Sequence, residues 1–372
     1  MTMPGKRRHA RTGGRSSTSR WILIGLAGVL VVAVGVYVYT SPGRQTTADR
    51  PPVVPGAQNP PDSCAPTTGL VPPCGAWWGM HVPPGRDRKL VPDVTAMEQK
   101  IGRKLDITIS YHDMSNSDAG RFFRGDESEL GTDRILFLGW ESSIWDENLD
   151  IAWRDIAAGH YDQAIADQAA RVKSYGRPVL VGFDGEKDRD ESGQTSTEYI
   201  AAYKRIVDGF RQAGATNALW VWGVTGYYPF RDRWKAYYPG DDYVDWISYD
   251  PYNFATCRGA DWQDFKETVG PTYEWFQQNG FADKPLILAE YGTESHRSDT
   301  SARADWYRDI PEAMKTMPNL KAIIQWNNTD ADKCDFSLTG PGVLEAFAEA
   351  GKDPYFRQPL AIRQPLAGQP AG

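Results

Sequence analysis

The chain has 372 residues, room for one large domain or two small ones, and its apolar (41%) and charged (24%) fractions are those of an ordinary globular protein. A net charge of −7 argues against a nucleic-acid partner, because phosphate binding needs a basic surface. The 14 tryptophans and 18 tyrosines are a milder pointer, since aromatic rings stack on the apolar faces of sugars but also fill cores.

Residues 1–20 carry Lys6, Arg7, Arg8, Arg11, Arg15 and Arg20 and no acid. The stretch Trp21 to Tyr39 is then uncharged over 19 residues, just long enough to cross a bilayer. Positive charge ahead of the span places the N-terminus in the cytoplasm and everything downstream outside. A cleaved signal peptide is the rival reading, but its apolar region is usually shorter and no small-x-small site follows Tyr39. A retained single-pass anchor in the cell membrane is expected, with an extracellular domain. Residues 40–74 are rich in Pro, Thr, Gly and Gln and read as a semi-rigid linker. The texture of a folded domain runs over 75–355, and the Pro-rich residues 356–372 read as a disordered tail.

Cys64, Cys74, Cys257 and Cys334 are even in number and would lie in an oxidising compartment, where disulfides persist. Spacing does not fix their pairing. Cys64 with Cys74 would close a short Pro-rich loop, and Cys257 with Cys334 would then tie two loops together. No CxxC or clustered His/Cys spacing suggests zinc, and the five histidines are scattered. Neither a metal nor a cofactor is expected.

Within the domain, eight apolar runs alternate with helical patterns. The runs are AWWGMHV from Ala76, LDITISY from Leu105, RILFLGW from Arg134, PVLVGF from Pro178, ALWVWGV from Ala218, VDWISYD from Val244, PLILAEY from Pro285 and KAIIQWN from Lys321. The helical patterns include HYDQAIADQAARVKSYG, ADWQDFKETVGPTYEWFQQNG and STEYIAAYKRIVDGFRQAG, the last with Ser196 as N-cap and Gly214 as C-cap. Strands apolar on both faces that alternate with helices indicate a parallel sheet covered by helices. About 280 residues suit an α/β (β/α)8 TIM barrel. A doubly wound open sheet is the alternative, but no glycine-rich phosphate fingerprint follows the first strand.

Barrel chemistry sits at the C-terminal strand ends. Those ends carry Tyr111, His112 and Asp113; Trp140 and Glu141; Asp184 and Glu186; Asp250, Tyr252 and Asn253; Glu290 and Tyr291; Trp326 and Asn327. Any single one is most simply loop charge or a core ring, but acids and rings recur together at one face. Two carboxylates across a barrel mouth suit glycoside hydrolysis. Glu290, at the end of a rigid strand, is the candidate nucleophile, and Glu186 the candidate acid/base. Asp184 and Asp188 would raise the pKa of Glu186, while Lys187 and Arg189 would lower it. Asp188 to Glu191 read as a solvated rim, and His81, His160 and His296 as structural or surface residues.

The blocks RPVLVGFDGE, GFRQAGATNALWVWGV, YYPGDDYVDWISYDPYN and KPLILAEYGT resemble glycoside hydrolase family 26. So do GAWWGMHVP, IGRKLDITISYHD and DIAAGHYDQAIADQAARVKSYGRPVL upstream, and the resemblance runs from about Gly75 to Phe347. It implies a (β/α)8 barrel that cleaves β-linked backbones with retention: β-mannan, mixed-linkage β-glucan or β-1,3-xylan. It assigns the acid/base to Glu186 and the nucleophile to Glu290. It matches Asp250 and Tyr252 to the pair after strand six, Tyr252 being the hydroxyl that bonds the nucleophile, and Trp326 to the ring under the sugar being cleaved. Trp140 and His112 are placed along the negative subsites. The family pattern around the acid/base, roughly Arg-Phe-x-His-Glu-Met-Asn, here reads Gly182, Phe183, Asp184, Gly185, Glu186, Lys187 and Asp188. The histidine replaced by Gly185 contacts substrate, so mannan is not singled out.

The expected partners are a polysaccharide or oligosaccharide substrate and, through the N-terminal helix, a membrane; a monomer is expected. The competing reading is a catalytically inactive, membrane-tethered carbohydrate-binding relative.

Overall fold

The computed structural model describes residues 69–85, 89–189, 193–329, 334–358 and 360. The expected basic segment, the span Trp21 to Tyr39, Cys64, Asp190, Glu191 and residues 361–372 lie outside the described residues. Among the described residues, no helix is long and apolar enough to cross a membrane.

Eight strands form the barrel: β1 Trp77–His81, β2 Ile107–His112, β3 Ile135–Trp140, β4 Val179–Phe183, β5 Ala218–Val224, β6 Trp246–Tyr249, β7 Leu286–Thr293 and β8 Leu320–Trp326. Each pairs in parallel with its neighbour in sequence, and β8 pairs with both β7 and β1, which closes the sheet. The open-sheet alternative is thereby excluded. All eight apolar runs are these strands. Their even and odd positions are sorted into two buried layers, as strand periodicity requires. Trp77, Ile109, Phe137, Val221, Trp246 and Ile324 belong to the layer inside the barrel. Trp78, Leu138, Val181, Trp222, Tyr249 and Ile323 belong to the layer packed under the helices.

Helices Leu90–Ile101, Asp162–Tyr175, Ser196–Gln212, Phe265–Gln278 and Val343–Ala350 cover the sheet with shorter ones between them. The connection from β5 to β6 holds only short turns such as Arg231–Trp234. Helix Ser196–Gln212 is capped one residue before the expected Ser196. The Thr195 side chain accepts from the Glu198 amide at 3.2 Å, and Glu198 accepts from the Thr195 amide at 2.7 Å, a reciprocal capping box. Its C-cap is Ala213, and Gly214 follows with φ 75°.

The bottom of the barrel is closed by residues that composition alone assigned to the linker and tail. The Trp246 and Trp77 indoles donate to the carbonyls of Gly69 and Leu70 at 2.8 and 2.7 Å. Leu70, Val71 and Leu360 pack against the inner layer. Gly75 has φ 61°, and a Cβ there would stand 1.9 Å from the Tyr355 carbonyl oxygen, so this crossing of the two chain ends requires glycine. Phe356 is buried against Trp78, ring centroids 4.7 Å apart. A floor made by a few residues at each end is invisible to composition, because its stability comes from the barrel and not from local pattern.

Replacing Thr195 by Ala removes one partner of the capping box and should cost about 1 kcal/mol. A urea midpoint lowered with unchanged slope would show it, and an unchanged midpoint would mean the cap contributes nothing.

Candidate active site

Glu290 lies on β7, whose register with β8 slips between Leu288 and Tyr291. Ile287 and Ala289 belong to the inner layer, while Leu288 and Tyr291 belong to the outer one. The slip therefore lets two successive residues, Ala289 and Glu290, face the barrel, a re-aiming that bulges commonly perform beside active sites. Both Glu290 oxygens are taken by tyrosines: Tyr111 donates to Oε1, and Tyr252 donates to Oε2 at 2.6 Å. The Glu290 amide donates to Asp250 Oδ1 at 3.1 Å. Burial raises the Glu290 pKa, and the two tyrosine hydroxyls counter it.

Glu186 stands just past β4. Its side chain keeps 39% of its surface accessible and meets only Arg189 Nη1, at 3.5 Å. Its pKa is raised to about 7, first by burial and next by the charge of Glu290, with Arg189 opposing. The Asp250 carboxyl is also pushed well up, by burial and then by Glu290 and Glu186. These mutual effects place the three acids in one site. Glu290, with two hydroxyl donors against the single arginine of Glu186, is the better stabilised of the two anions.

The aspartates flanking Glu186 are anchors rather than rim. Asp184 has φ 43° and accepts from the Ser142 amide (2.8 Å), the Ser142 hydroxyl and the Trp153 indole (2.6 Å). Asp188 is 1% exposed and accepts from the Thr225 amide (2.8 Å), the Thr225 hydroxyl (2.6 Å) and the Trp234 indole (2.9 Å). The expected rim thus gives way at Asp188, because its three buried donors would be orphaned without it. Lys187 is buried between Tyr199 and Trp222, with its ammonium 5.0 and 4.9 Å from the ring centroids and no hydrogen bond among the described residues. Burial lowers its pKa to about 7.

Trp326, at the tip of β8, stacks on His81 from β1 with centroids 4.2 Å apart and meets the Tyr111 ring edge-on at 6.0 Å. His81, read as structural, is therefore part of the mouth; burial lowers its pKa to about 4 and keeps it neutral. Glu141, past β3, accepts from the Trp145 indole at 2.8 Å. Its pKa is raised to about 7 by burial first and then by Asp184 and Glu290.

The structure brings Glu186, Glu290, Asp250, Tyr252 and Trp326 together and leaves His112 and Trp140 apart. His112 is fully buried beside Glu127 and Phe122, and the Trp140 indole donates to the Asp113 carbonyl within the helix-side layer. The reason is strand parity: Ile107 and Ile109 face the barrel, so Tyr111 does and His112 does not. The same alternation through Ile135 and Phe137 turns Trp140 outward. Carried to the strand tip, that parity signal would have identified Tyr111. Gly182 faces inward, where a Cβ would come within 2.9 Å of the Phe137 ring, whereas a Cβ on Gly185 would meet nothing within 4 Å.

Cys257 and Cys334 form a disulfide that joins the loops after β6 and β8. Phe336, two residues on, packs on Tyr252 at 4.3 Å. Among the described residues, the one group of ligand atoms compact enough for a metal is Cys257, Cys334 and Glu294. Two of these sulfurs are joined to each other, and Glu294 accepts from the amides of Thr256 and Cys257.

The class defined by these features is a (β/α)8 barrel with an acidic, aromatic-lined site at its C-terminal mouth. The model of glycosyl hydrolase family 26 matches residues 156–327. Endoglucanase H of Acetivibrio thermocellus is 28% identical over 269 residues, which cover 69% of this chain and only 28% of that protein's length. A modular endo-β-1,4-mannanase from Cellulomonas fimi superposes with a TM-score of 0.57 at 18% identity, covering 80% of this chain and 76% of that one. A β-mannanase of the same family from Bacteroides ovatus gives 0.54 at 16% identity, covering 76% and 89%. Over residues 156–327 the chain is thus similar to glycoside hydrolase family 26.

The raised Glu141 pKa makes a stability prediction. The folded state holds a proton that the unfolded chain releases near its ordinary value of 4.5, so stability is lost as pH rises from there to about 7. Glu141→Gln keeps an oxygen to accept from Trp145 and removes this loss. Its melting temperature should gain on wild type through that interval and hold the gain above it; a pH-independent difference would contradict the assignment.

Proposed function

We propose that the protein is a retaining, endo-acting β-glycanase that hydrolyses a β-linked polysaccharide: β-mannan, mixed-linkage β-glucan or β-1,3-xylan. The observation that carries the reading is the asymmetry between the two acids: Glu290 is held at both oxygens by Tyr111 and Tyr252, whereas Glu186 meets one arginine and its pKa is raised to about 7. Glu290 attacks the anomeric carbon as the bond to the leaving sugar oxygen breaks, and that oxygen takes the Glu186 proton. The Glu186 carboxylate then removes a proton from water, which attacks the same carbon and releases Glu290. Retention implies a separation of roughly 5–5.5 Å between the carboxyl groups when substrate is bound. Asp250 fixes the Glu290 backbone, and Trp326, packed between Tyr111 and His81, offers a ring to the reacting sugar. The Cys257–Cys334 disulfide fits an oxidising compartment, consistent with a domain held outside the cell by the anchor Trp21 to Tyr39.

Proton NMR of the first product from a panel of mannan, lichenan and β-1,3-xylan tests this. The β-anomer should appear first, and Glu290→Ala should lose turnover altogether. Early α-anomer would overturn retention. Sugar binding by both forms with cleavage by neither would leave the carbohydrate-binding alternative. Glu186→Ala should lose about 10²–10⁴-fold on polysaccharide. It should keep the first step on a 2,4-dinitrophenyl glycoside, whose leaving group needs no proton.

The pH profile follows from the same pair. Because the Glu186 proton is held up to about pH 7, kcat/KM should fall above that value, and it should fall on the acid side as Glu290 becomes protonated. An alkaline limb that survives in Glu186→Gln would assign it to another group.

A further inference from the structure

Four large hydrophobic side chains stand well exposed among the described residues: Trp145 (37%), Leu149 (45%), Tyr227 (57%) and Tyr228 (41%). Single exposed hydrophobics are ordinary on any surface; the informative feature is where these fall. Trp145 and Leu149 are in the hairpin Ser143–Ile144/Leu149–Asp150 that follows β3, and Tyr227 and Tyr228 are in the segment that follows β5. Strand β4, which delivers Glu186, is paired between β3 and β5. The exposed rings therefore lie on the two loops flanking the proton donor.

Neither ring set is on a loose loop. The Trp145 amide donates to Asp113 Oδ2 at 2.8 Å, its indole is tied to Glu141, and Arg124 lies 5.9 Å from the ring centroid. Asp113, fully buried, also binds Ser115 through its other oxygen. On the other side the Tyr227 amide donates to the Thr225 hydroxyl, the one that donates to Asp188. Tyr227 meets Phe230 edge-on at 5.0 Å, and the Arg231 guanidinium lies 4.6 Å from the Tyr228 centroid. Rings held this way lose little further freedom when a ligand stacks on them. Their π faces carry negative potential and attract the weakly positive C–H faces of pyranose rings.

We propose that Trp145 on one side and Tyr227 with Tyr228 on the other are outlying sugar platforms, which bind units of a β-linked glycan beyond the two joined by the cleaved bond. This rests on the hydrolase reading of Glu186 and Glu290 and deepens it: such an enzyme prefers long chains, and its platforms decide which internal bond is placed at the acids.

The test uses manno-, mixed-linkage gluco- and β-1,3-xylo-oligosaccharides of three and six units with the whole protein. Trp145→Ala and the double variant Tyr227→Ala/Tyr228→Ala each alter exposed side chains, and far-UV circular dichroism verifies their folding. Each should lower the hexasaccharide-to-trisaccharide ratio of kcat/KM roughly three- to tenfold. Products formed in 18O-water should show the preferred cleavage position moving in opposite directions in the two variants. Tyr227→Phe/Tyr228→Phe, which keeps the faces, should restore the wild-type ratio. An unchanged ratio and unchanged cleavage positions in both alanine variants, with wild-type turnover intact, would overturn the platforms alone. If wild type cleaves none of the sugars, fluorescence titration of Glu290→Gln decides. Tighter hexasaccharide than trisaccharide binding that the alanine variants lose would sustain the platforms while the hydrolase reading falls. No binding of any sugar would overturn both.

Discussion

Glu290 is held at both oxygens by tyrosine hydroxyls that come from opposite sides of it along the sheet. Tyr252 follows the neighbouring strand β6, whereas Tyr111 sits on β2, with β8 and β1 in between. The Tyr111 bond can form only if the barrel closes, so closure of the sheet and orientation of the carboxylate are one constraint. The intervening strands fill the gap with Trp326 and His81, stacked on each other and met edge-on by Tyr111. A burial that would otherwise neutralise Glu290 is opposed by the same two donors. The slip in β7 that turns Glu290 inward serves this arrangement and has no other purpose visible in the packing.

Around that anion the remaining acids are graded by their partners. Glu186 has one distant arginine and a pKa raised to about 7; the Asp250 pKa is pushed well up by burial, Glu290 and Glu186, despite the Glu290 amide. Two hydroxyls against one long guanidinium contact make Glu290 the better held of the two carboxyls. Environment, and not residue type, sets the two glutamates apart.

Much of the barrel was legible because its strands are apolar on both faces, a pattern that only a covered parallel sheet explains. The membership of Glu186, Glu290, Asp250, Tyr252 and Trp326 in one site came from the resemblance together with their places at strand tips. The resemblance puts His112 and Trp140 along the negative subsites, and alternation from Ile109 and Phe137 turns both toward the helices. The β7 slip could not be counted, since a bulge leaves no periodic mark in a strand apolar throughout. Tyr111 is legible as an inward residue at its strand tip, but its bond to Glu290 and the stacking of His81 on Trp326 join separate strands and leave no local mark. The floor residues Gly69 to Val71 were hidden by a composition that matches the linker before them.

The charge run after β4 shows why an apolar strand ends in acids. Asp184 and Asp188 each draw three donors from the adjoining loops, Asp184 from the β3 side and Asp188 from the β5 side. Glu186 is thereby fastened on both flanks while its own carboxyl meets only Arg189. Burial pushes the Lys187 pKa down to about 7 against the opposing charges of Asp188, Asp184 and Asp250. Gly185, where a Cβ would meet nothing, leaves open space beside the donor that a bulkier residue would occupy. Glu186 thus owes its placement to the segments after β3 and β5, the same segments that carry the exposed rings Trp145, Tyr227 and Tyr228, so one pair of segments sets both.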